Sequence, residues 1–362
     1  MARQTATMQA APAATLSPTA VAGAATIAPT IAPPAASIGA MPLIAANPIT
    51  AMQAEVRQLA RQRNAVILAH NYQVPEVQDV ADFVGDSLGL AIEASRTQAD
   101  VIVLGGVYFM AETAKILNMH RTVLIPDASA GCSLADSITL EQLKAWKAQH
   151  PGAVVVSYVN TTAAIKAESD YCVTSGNAEA VIRSIPADQA ILFLPDMYLG
   201  SWLKEQCQRA NMEIWPGECH VHAGIRDPEI RAKLDQYPGA ELLIHPECGC
   251  TSRFVRASAR GTLPMARTQV LSTEGMLKRA HTSDAQVLLI ATETGLLHRL
   301  RKEAPGKTYV PADERAVCRY MKQITLPKLL TSLQTMQTPV EVEQEIATRA
   351  RVAIDRMLAV RG

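Results

Sequence analysis

Seven cysteines stand at positions 132, 172, 207, 219, 248, 250 and 318 of a 362-residue chain. An odd number scattered this widely does not make a disulfide framework. They read as thiols of a reducing compartment, serving as core fillers, metal ligands or nucleophiles. Cys172 and Cys207 lie inside a strand-like and a helix-like stretch and read as small buried hydrophobes. Cys132, Cys219 and Cys318 differ, because each follows closely on a proline that ends a short apolar run: T-V-L-I-P at Pro126, M-E-I-W-P at Pro216 and T-Y-V-P at Pro311. Three thiolates at one point repel unless they share a cation, so a metal centre is the economical reading. Structural zinc wants four ligands in closely spaced pairs, whereas the spacings here are 87 and 99 residues. His220 and His222 beside Cys219, and the Cys248-Gly249-Cys250 clip, keep zinc open. An iron–sulfur cluster normally takes four thiolates. With three, one iron of a [4Fe–4S] cluster is left to act as a Lewis acid, which favours catalysis over electron transfer.

The elements that position these cysteines recur. First strands begin A-V-I-L-A-H-N-Y at 65, A-V-V-V-S-Y-V-N at 153 and A-E-L-L-I-H-P-E at 240. Alignment places His70, Tyr158 and His245 together at a strand end, with Tyr72, Asn160 and Glu247 two residues on. Second strands run into helix starts at which Ser87, Ser175 and Thr273 coincide. The interval from first-strand end to hydroxyl is 17, 17 and 28 residues, so the third copy carries an insertion of 11 within C-G-C-T-S-R-F-V-R-A-S-A-R-G-T-L-P. Third strands are D-V-I-V-L-G-G-V, A-I-L-F-L-P-D and Q-V-L-L-I-A-T-E-T, and fourth strands stop at the three prolines.

Near-continuous Val, Ile and Leu strands alternating with helices predict parallel sheets covered on both faces. The expected fold is α/β: three α/β/α sandwiches around a pseudo-threefold axis, spanning 55–135, 136–220 and 221–330. Ligands of such sheets bind beyond the carboxyl ends of the strands, where all the polar positions above fall. Ser87, Ser175 and Thr273 read either as plain helix caps or as three helix N-termini that together receive anions. His70 and His245 read as core histidines or site residues. Glu247, costly to bury unpaired, reads as a general base whose proton affinity its anionic surroundings should raise. Thr338-Pro339-Val340-Glu341 fits a capping box opening an amphipathic closing helix within 331–362, with Val342, Ile346, Ala353 and Met357 on its apolar face.

Lysine plus arginine equals aspartate plus glutamate at 34 each, so no basic field draws in nucleic acid or a membrane surface. No long apolar run free of proline and charge suits a membrane span, and the expected location is cytoplasmic. Residues 1–54 are rich in alanine, threonine and proline, carry Arg3 as their only charge, and are expected to be disordered rather than a targeting peptide.

The strings A-H-N-Y-Q at 69, G-D-S at 85, M-A-E-T-A-K at 110, Y-V-N at 158, H-P-E-C at 245 and S-T-E-G-M at 272, with the three separated cysteines, resemble the quinolinate synthase family over about residues 52–330. The resemblance implies three pseudo-symmetric α/β/α domains around a [4Fe–4S] cluster. It implies condensation of iminoaspartate with dihydroxyacetone phosphate to quinolinate, phosphate and water, a step of NAD biosynthesis. An aspartate-oxidising enzyme that supplies iminoaspartate is the implied partner. By the same resemblance Cys132, Cys219 and Cys318 are the cluster ligands. His70, Ser87, Tyr158, Asn160, Ser175, His245, Glu247 and Thr273 line the substrate pocket, and Tyr72 and Glu247 transfer protons. Two rivals stand beside it: another [4Fe–4S] hydro-lyase, and a non-enzymatic iron–sulfur sensor.

Overall fold

The computed structural model describes residues 48–250 and 267–360. Its strands are short, and the central ones are runs of buried aliphatic residues. Strands β1 (Ala65–His70), β2 (Phe83–Gly85), β3 (Val101–Gly105) and β4 (Thr122–Leu124) form a parallel sheet in the order β2-β1-β3-β4. β5 (Val154–Tyr158), β6 (Tyr171–Val173), β7 (Ile191–Leu194) and β8 (Met212–Ile214) repeat it as β6-β5-β7-β8. β9 (Glu241–Ile244), β10 (Thr268–Val270), β11 (Val287–Ala291) and β12 (Thr308–Pro311) repeat it again as β10-β9-β11-β12. Every residue of β3, β7 and β9 is buried, as expected for sheets covered by helices on both faces.

The register repeats as well. His70 pairs with Gly85, two residues before Ser87, and Tyr158 pairs with Val173, two before Ser175. Carrying the β9–β10 register on by one residue sets His245 opposite Leu271, two before Thr273. The three α/β layers expected from the sequence are therefore present, and their strand ends are equivalent.

Two expectations are revised, and a third falls mostly outside the described residues. The helix Pro48–Gln62 begins inside the segment expected to be a disordered tail, because Val56 and Ala60 form a buried stripe against the helix Leu326–Thr335; residues 1–47 lie outside the described residues. Most of the expected insertion, 251–266, lies outside them too. Thr338-Pro339-Val340-Glu341 is not a capping box. Thr338 is left-handed at φ 63° and its hydroxyl donates to the Ile125 carbonyl at 2.6 Å, while the Val340 N–H donates to the Val123 carbonyl at 2.8 Å. The segment thus adds to the exposed edge of β4, and edge pairing outweighs the local capping pattern. The closing helix starts later, at Gln344, and runs to Ala359.

That closing helix packs on the helix Ala163–Ala167, on β6 and on the helix Tyr108–Leu117, joining the first two repeats. Asn177 fastens its end by donating Nδ2 to the carbonyls of Met357 (2.9 Å) and Val360 (3.0 Å). Ile354, fully buried on it, is expected to matter in proportion: Ile354→Ala should lower stability by about 2–5 kcal/mol in urea unfolding. Val352→Ala, at a position 51 % exposed, should stay within about 0.5 kcal/mol. Equal midpoints for the two variants would show that the helix is not part of the cooperative core.

Candidate active site

One hydrogen bond, made three times, places the cysteines. Gly105, Leu194 and Ala291 occupy equivalent positions at the ends of β3, β7 and β11. Three residues beyond each, a backbone N–H donates to a carbonyl two residues before a cysteine: Tyr108 to Ala130 (2.8 Å), Met197 to Gly217 (2.8 Å) and Thr294 to Ala316 (2.9 Å). The loops after β4, β8 and β12 are thereby docked alike, and Cys132, Cys219 and Cys318 all face one cavity. The remaining residues singled out by sequence, His70, Tyr72, Ser87, Tyr158, Asn160, Ser175, His245, Glu247 and Thr273, line the same cavity. Among the described residues no lysine or arginine does.

The two histidines at strand ends are built alike. The Tyr72 N–H donates to His70 Nδ1 at 3.1 Å, and the Glu247 N–H to His245 Nδ1 at 3.4 Å. Burial holds both imidazoles down at about 3. They are neutral at physiological pH and, with Nδ1 accepting, carry their proton on Nε2. His245 Nε2 lies 3.2 Å from Ser175 Oγ.

Two polar chains converge on His222. Tyr72 Oη lies 2.5 Å from Thr292 Oγ1, which lies 2.9 Å from His222 Nε2. On the other side of the ring, Nδ1 lies 3.0 Å from Glu247 Oε2 and 3.3 Å from Cys219 Sγ. Tyr158 donates its hydroxyl to Glu247 Oε1. Burial pushes the Tyr72 and Tyr158 phenols well above their usual range, and Glu247 adds to this, so both hold their protons.

The expectation of a raised proton affinity at Glu247 is not met here. Burial does raise its proton affinity, but the attraction and hydrogen bond of His222 outweigh burial and hold the carboxyl below the usual range. It is a buried carboxylate with a partner. The capping expectation changes too: Asp86 and Ser272, not Ser87 and Thr273, cap their helices by accepting from Gly89 N–H (2.8 Å) and Gly275 N–H (3.2 Å). In the second repeat the helix Ala178–Ser184 starts three residues after Ser175. The Ser87, Ser175 and Thr273 hydroxyls are consequently left at the cavity wall rather than used as caps.

Burial pushes the Cys132 thiol up to about 12 and raises Cys219 and Cys318 as well. Without a cation these sulfurs stay protonated, whereas a metal would draw them down as thiolates. Donor atoms of Cys219, His222 and Glu247 also lie within 4.8 Å of one another, a metal-ligating group in its own right.

Three α/β layers whose strand ends wall a buried pocket of thiols, neutral imidazoles and hydroxyls define an enzyme acting on small molecules at a topological switch point. Residues 54–359 match the family described as Quinolinate synthetase A protein, and the chain belongs to that family. Relatives named quinolinate synthase include one from Thermus thermophilus, 55% identical over 312 residues, which cover 86% of this chain and 97% of the relative. Another, from Mycobacterium sp. strain KMS, is 54% identical over 313 residues, covering 86% and 93%. A third, from Pyrobaculum aerophilum, is 54% identical over 307 residues, covering 84% and 98%. None of the described helices is long and apolar enough to cross a membrane.

Three cavity neighbours escaped the sequence reading: His222, Thr292 and Glu293. His222 follows Cys219 by three residues, a signal read only as a zinc clip. Thr292 and Glu293 follow β11, at the positions that Pro195 and Asp196 hold after β7, so the acid repeated in two copies was visible. This turn presses on Tyr72. A Cβ on Gly295 would lie 2.8 Å from Glu293 Oε2 and from the Tyr72 backbone carbon and oxygen. Gly295→Ala should therefore destabilise by about 1–3 kcal/mol, since backbone cannot yield as a flexible side chain does. Gly131→Ala, whose Cβ meets nothing nearer than 3.9 Å, should be neutral within about 0.5 kcal/mol. Calorimetry of the two variants checks this, and a neutral Gly295→Ala would mean that the turn does not rest on Tyr72.

Proposed function

We propose that this chain condenses iminoaspartate with dihydroxyacetone phosphate to quinolinate, phosphate and water in NAD biosynthesis; its relatives are named quinolinate synthase. One observation carries the reading: three thiols from equivalent repeat positions face a single cavity, among hydroxyls, an amide, imidazoles and the carboxyl groups of Asp86, Glu247 and Glu293. The substrates are anions. With no lysine or arginine among the described residues of the wall, their carboxylates and phosphate would be met by the Ser87, Ser175 and Thr273 hydroxyls, Asn160 and the His70 and His245 Nε2–H groups, all neutral donors. Asn160 Oδ1 is buried with no hydrogen-bond partner among the described residues. Such an atom fits a donor brought by substrate, for instance an imine or amine N–H.

The proton roles follow from which groups hold protons. Tyr72, protonated and in line with Thr292 and His222, is placed to give a proton to a departing oxygen and recover it through that chain. Glu247, ionised and held by His222 and Tyr158, is placed to accept one. Cys132, Cys219 and Cys318 would hold a [4Fe–4S] cluster, soft sulfur donors in a buried site being suited to it. When bound, that group supplies a Lewis acid at the one iron that lacks a thiolate. The iminoaspartate would come from an aspartate-oxidising enzyme, and the site would sit in the cytoplasm.

A second reading rests on the Cys219, His222 and Glu247 donors, which suit a single zinc ion. Metal analysis separates the two. The anaerobically purified full chain should carry about four irons and four sulfides, and Cys132→Ala, Cys219→Ala and Cys318→Ala should each lose them while Cys207→Ala keeps them. Stoichiometric zinc with no sulfide would sink the cluster assignment. The same protein should form quinolinate from iminoaspartate and dihydroxyacetone phosphate under anaerobic conditions. Turnover of a hydroxy acid with no need for the triose phosphate would favour another hydro-lyase, and binding without turnover a sensor.

Glu247→Gln preserves shape and removes the acceptor. It should keep iron and substrate binding yet lose at least about a hundredfold in turnover. A near-normal rate would make Glu247 structural and leave Tyr72 as the leading proton-transfer group.

A further inference from the structure

Glu293 is fully buried at the cavity wall, and one of its carboxylate oxygens holds the third cysteine loop while the other holds the turn after β11. Its Oε1 accepts from the Cys318 backbone N–H at 3.0 Å and lies 2.8 Å from Lys322 Nζ, while Oε2 accepts from the Gly295 N–H at 2.7 Å. Lys322 closes the loop from the other end. Its N–H donates to the Cys318 carbonyl at 3.1 Å, and its Nζ donates to the Tyr72 carbonyl in the first repeat. The Glu293 carboxylate and the Lys322 backbone N–H therefore hold Cys318 on both sides, and the Lys322 ammonium ties that carboxylate to the backbone of Tyr72.

The repeat makes this informative. The position of Glu293 is occupied by Asp196 after β7 and by Val107 after β3. Asp196 accepts from the Leu199 N–H at 2.7 Å as a helix cap, and Val107 has no polar side chain. Asp196 also interacts with the Cys219 backbone N–H, so what sets the third repeat apart among the described residues is that its carboxylate is in turn paired with a lysine that reaches another repeat.

We propose that Glu293 and Lys322 are positioning residues that set the third cysteine ligand, Cys318, against Tyr72, so that the metal centre and the proton-transferring phenol keep a fixed separation. The inference rests on the cluster reading above, but its test does not rest on turnover alone. Hydrogen bonds around metal ligands typically alter affinity or activity by about 10–100-fold when removed.

In the anaerobically purified full chain, Lys322→Met should retain its iron, since Glu293 still accepts from Cys318 and Gly295. It should change the electron paramagnetic resonance spectrum of the reduced cluster and lose at least about tenfold in kcat, with KM altered less than about threefold. Lys322→Arg, which keeps the charge and can reach both oxygens, should restore the spectrum and most of kcat. Should a lone Lys322→Met fail to fold around the unpaired carboxylate, Glu293→Gln with Lys322→Met removes both charges, keeps an acceptor for Cys318, and should show the same spectral change. A wild-type spectrum and kcat in the folded variants would overturn the proposal. So would failure of Lys322→Arg to rescue, or a uniform drop in thermal stability with spectrum and kcat intact. If the wild-type chain binds a cluster yet makes no quinolinate, the functional reading fails while the spectra still judge the clamp.

Discussion

The bond from the amide just beyond each third strand to the carbonyl two residues before each cysteine holds in place a loop that has no regular structure of its own. A strand end is a rigid reference point, because its neighbours on both sides are paired and buried. Tying the loop to it transfers that rigidity to the cysteine. Since the tie is the same in all three repeats, the arrangement of the sheets fixes the arrangement of the sulfurs. Short parallel strands, proline exits and docked cysteines are consequently one device, and the rest of the cavity is built around the space it leaves.

The second constraint is electrostatic. The cavity wall contains carboxylates and thiols but no lysine or arginine among the described residues, so negative charge inside it must be balanced by imidazole, by a metal or by cations held behind the wall. His222 lies against Glu247 in this way, and the Lys322 ammonium against Glu293. Both are paired at about 3 Å and both are almost wholly buried, where an unpaired carboxylate would be strongly unfavourable. Among the described residues, the groups left to face an anionic ligand are hydroxyls, an amide and imidazoles. Those groups bind an anion without neutralising it, which suits a substrate that must later shed a charged leaving group.

Much of this was legible in the sequence because repetition turns weak signals into strong ones. A lone cysteine after a proline means little, but three in register imply a shared point, and the aligned polar strand ends all reached the cavity. Local patterns misled where two neighbours could play one part. Asp86-Ser87 and Ser272-Thr273 each offer two capping residues in a row, and the chain caps with the first, which frees the second. Thr338-Pro339-Val340-Glu341 satisfies a capping pattern, yet pairing along β4 gives its backbone better partners. The proton affinity of Glu247 could not be read locally at all: its partner His222 lies in a different loop, and only the fold brings carboxylate and imidazole to 3.0 Å.

The three repeats are alike in backbone and unlike in what they add at the strand end. After β3 comes Val107, an apolar wall residue. After β7 comes Asp196, employed as a helix cap. After β11 come Thr292 and Glu293, of which one joins Tyr72 to His222 and the other grips Cys318. An exact threefold site would treat a ligand identically from three sides, which cannot distinguish a group that gains a proton from one that loses it. Divergence at this one position, with the docking bond kept unchanged, gives the cavity a distinct third side: the phenol, the relay hydroxyl and the clamped cysteine all lie there, facing Glu247 across His222. The symmetric part of the fold sets the three sulfurs, and the asymmetric part sets the phenol, hydroxyl and carboxylates around them.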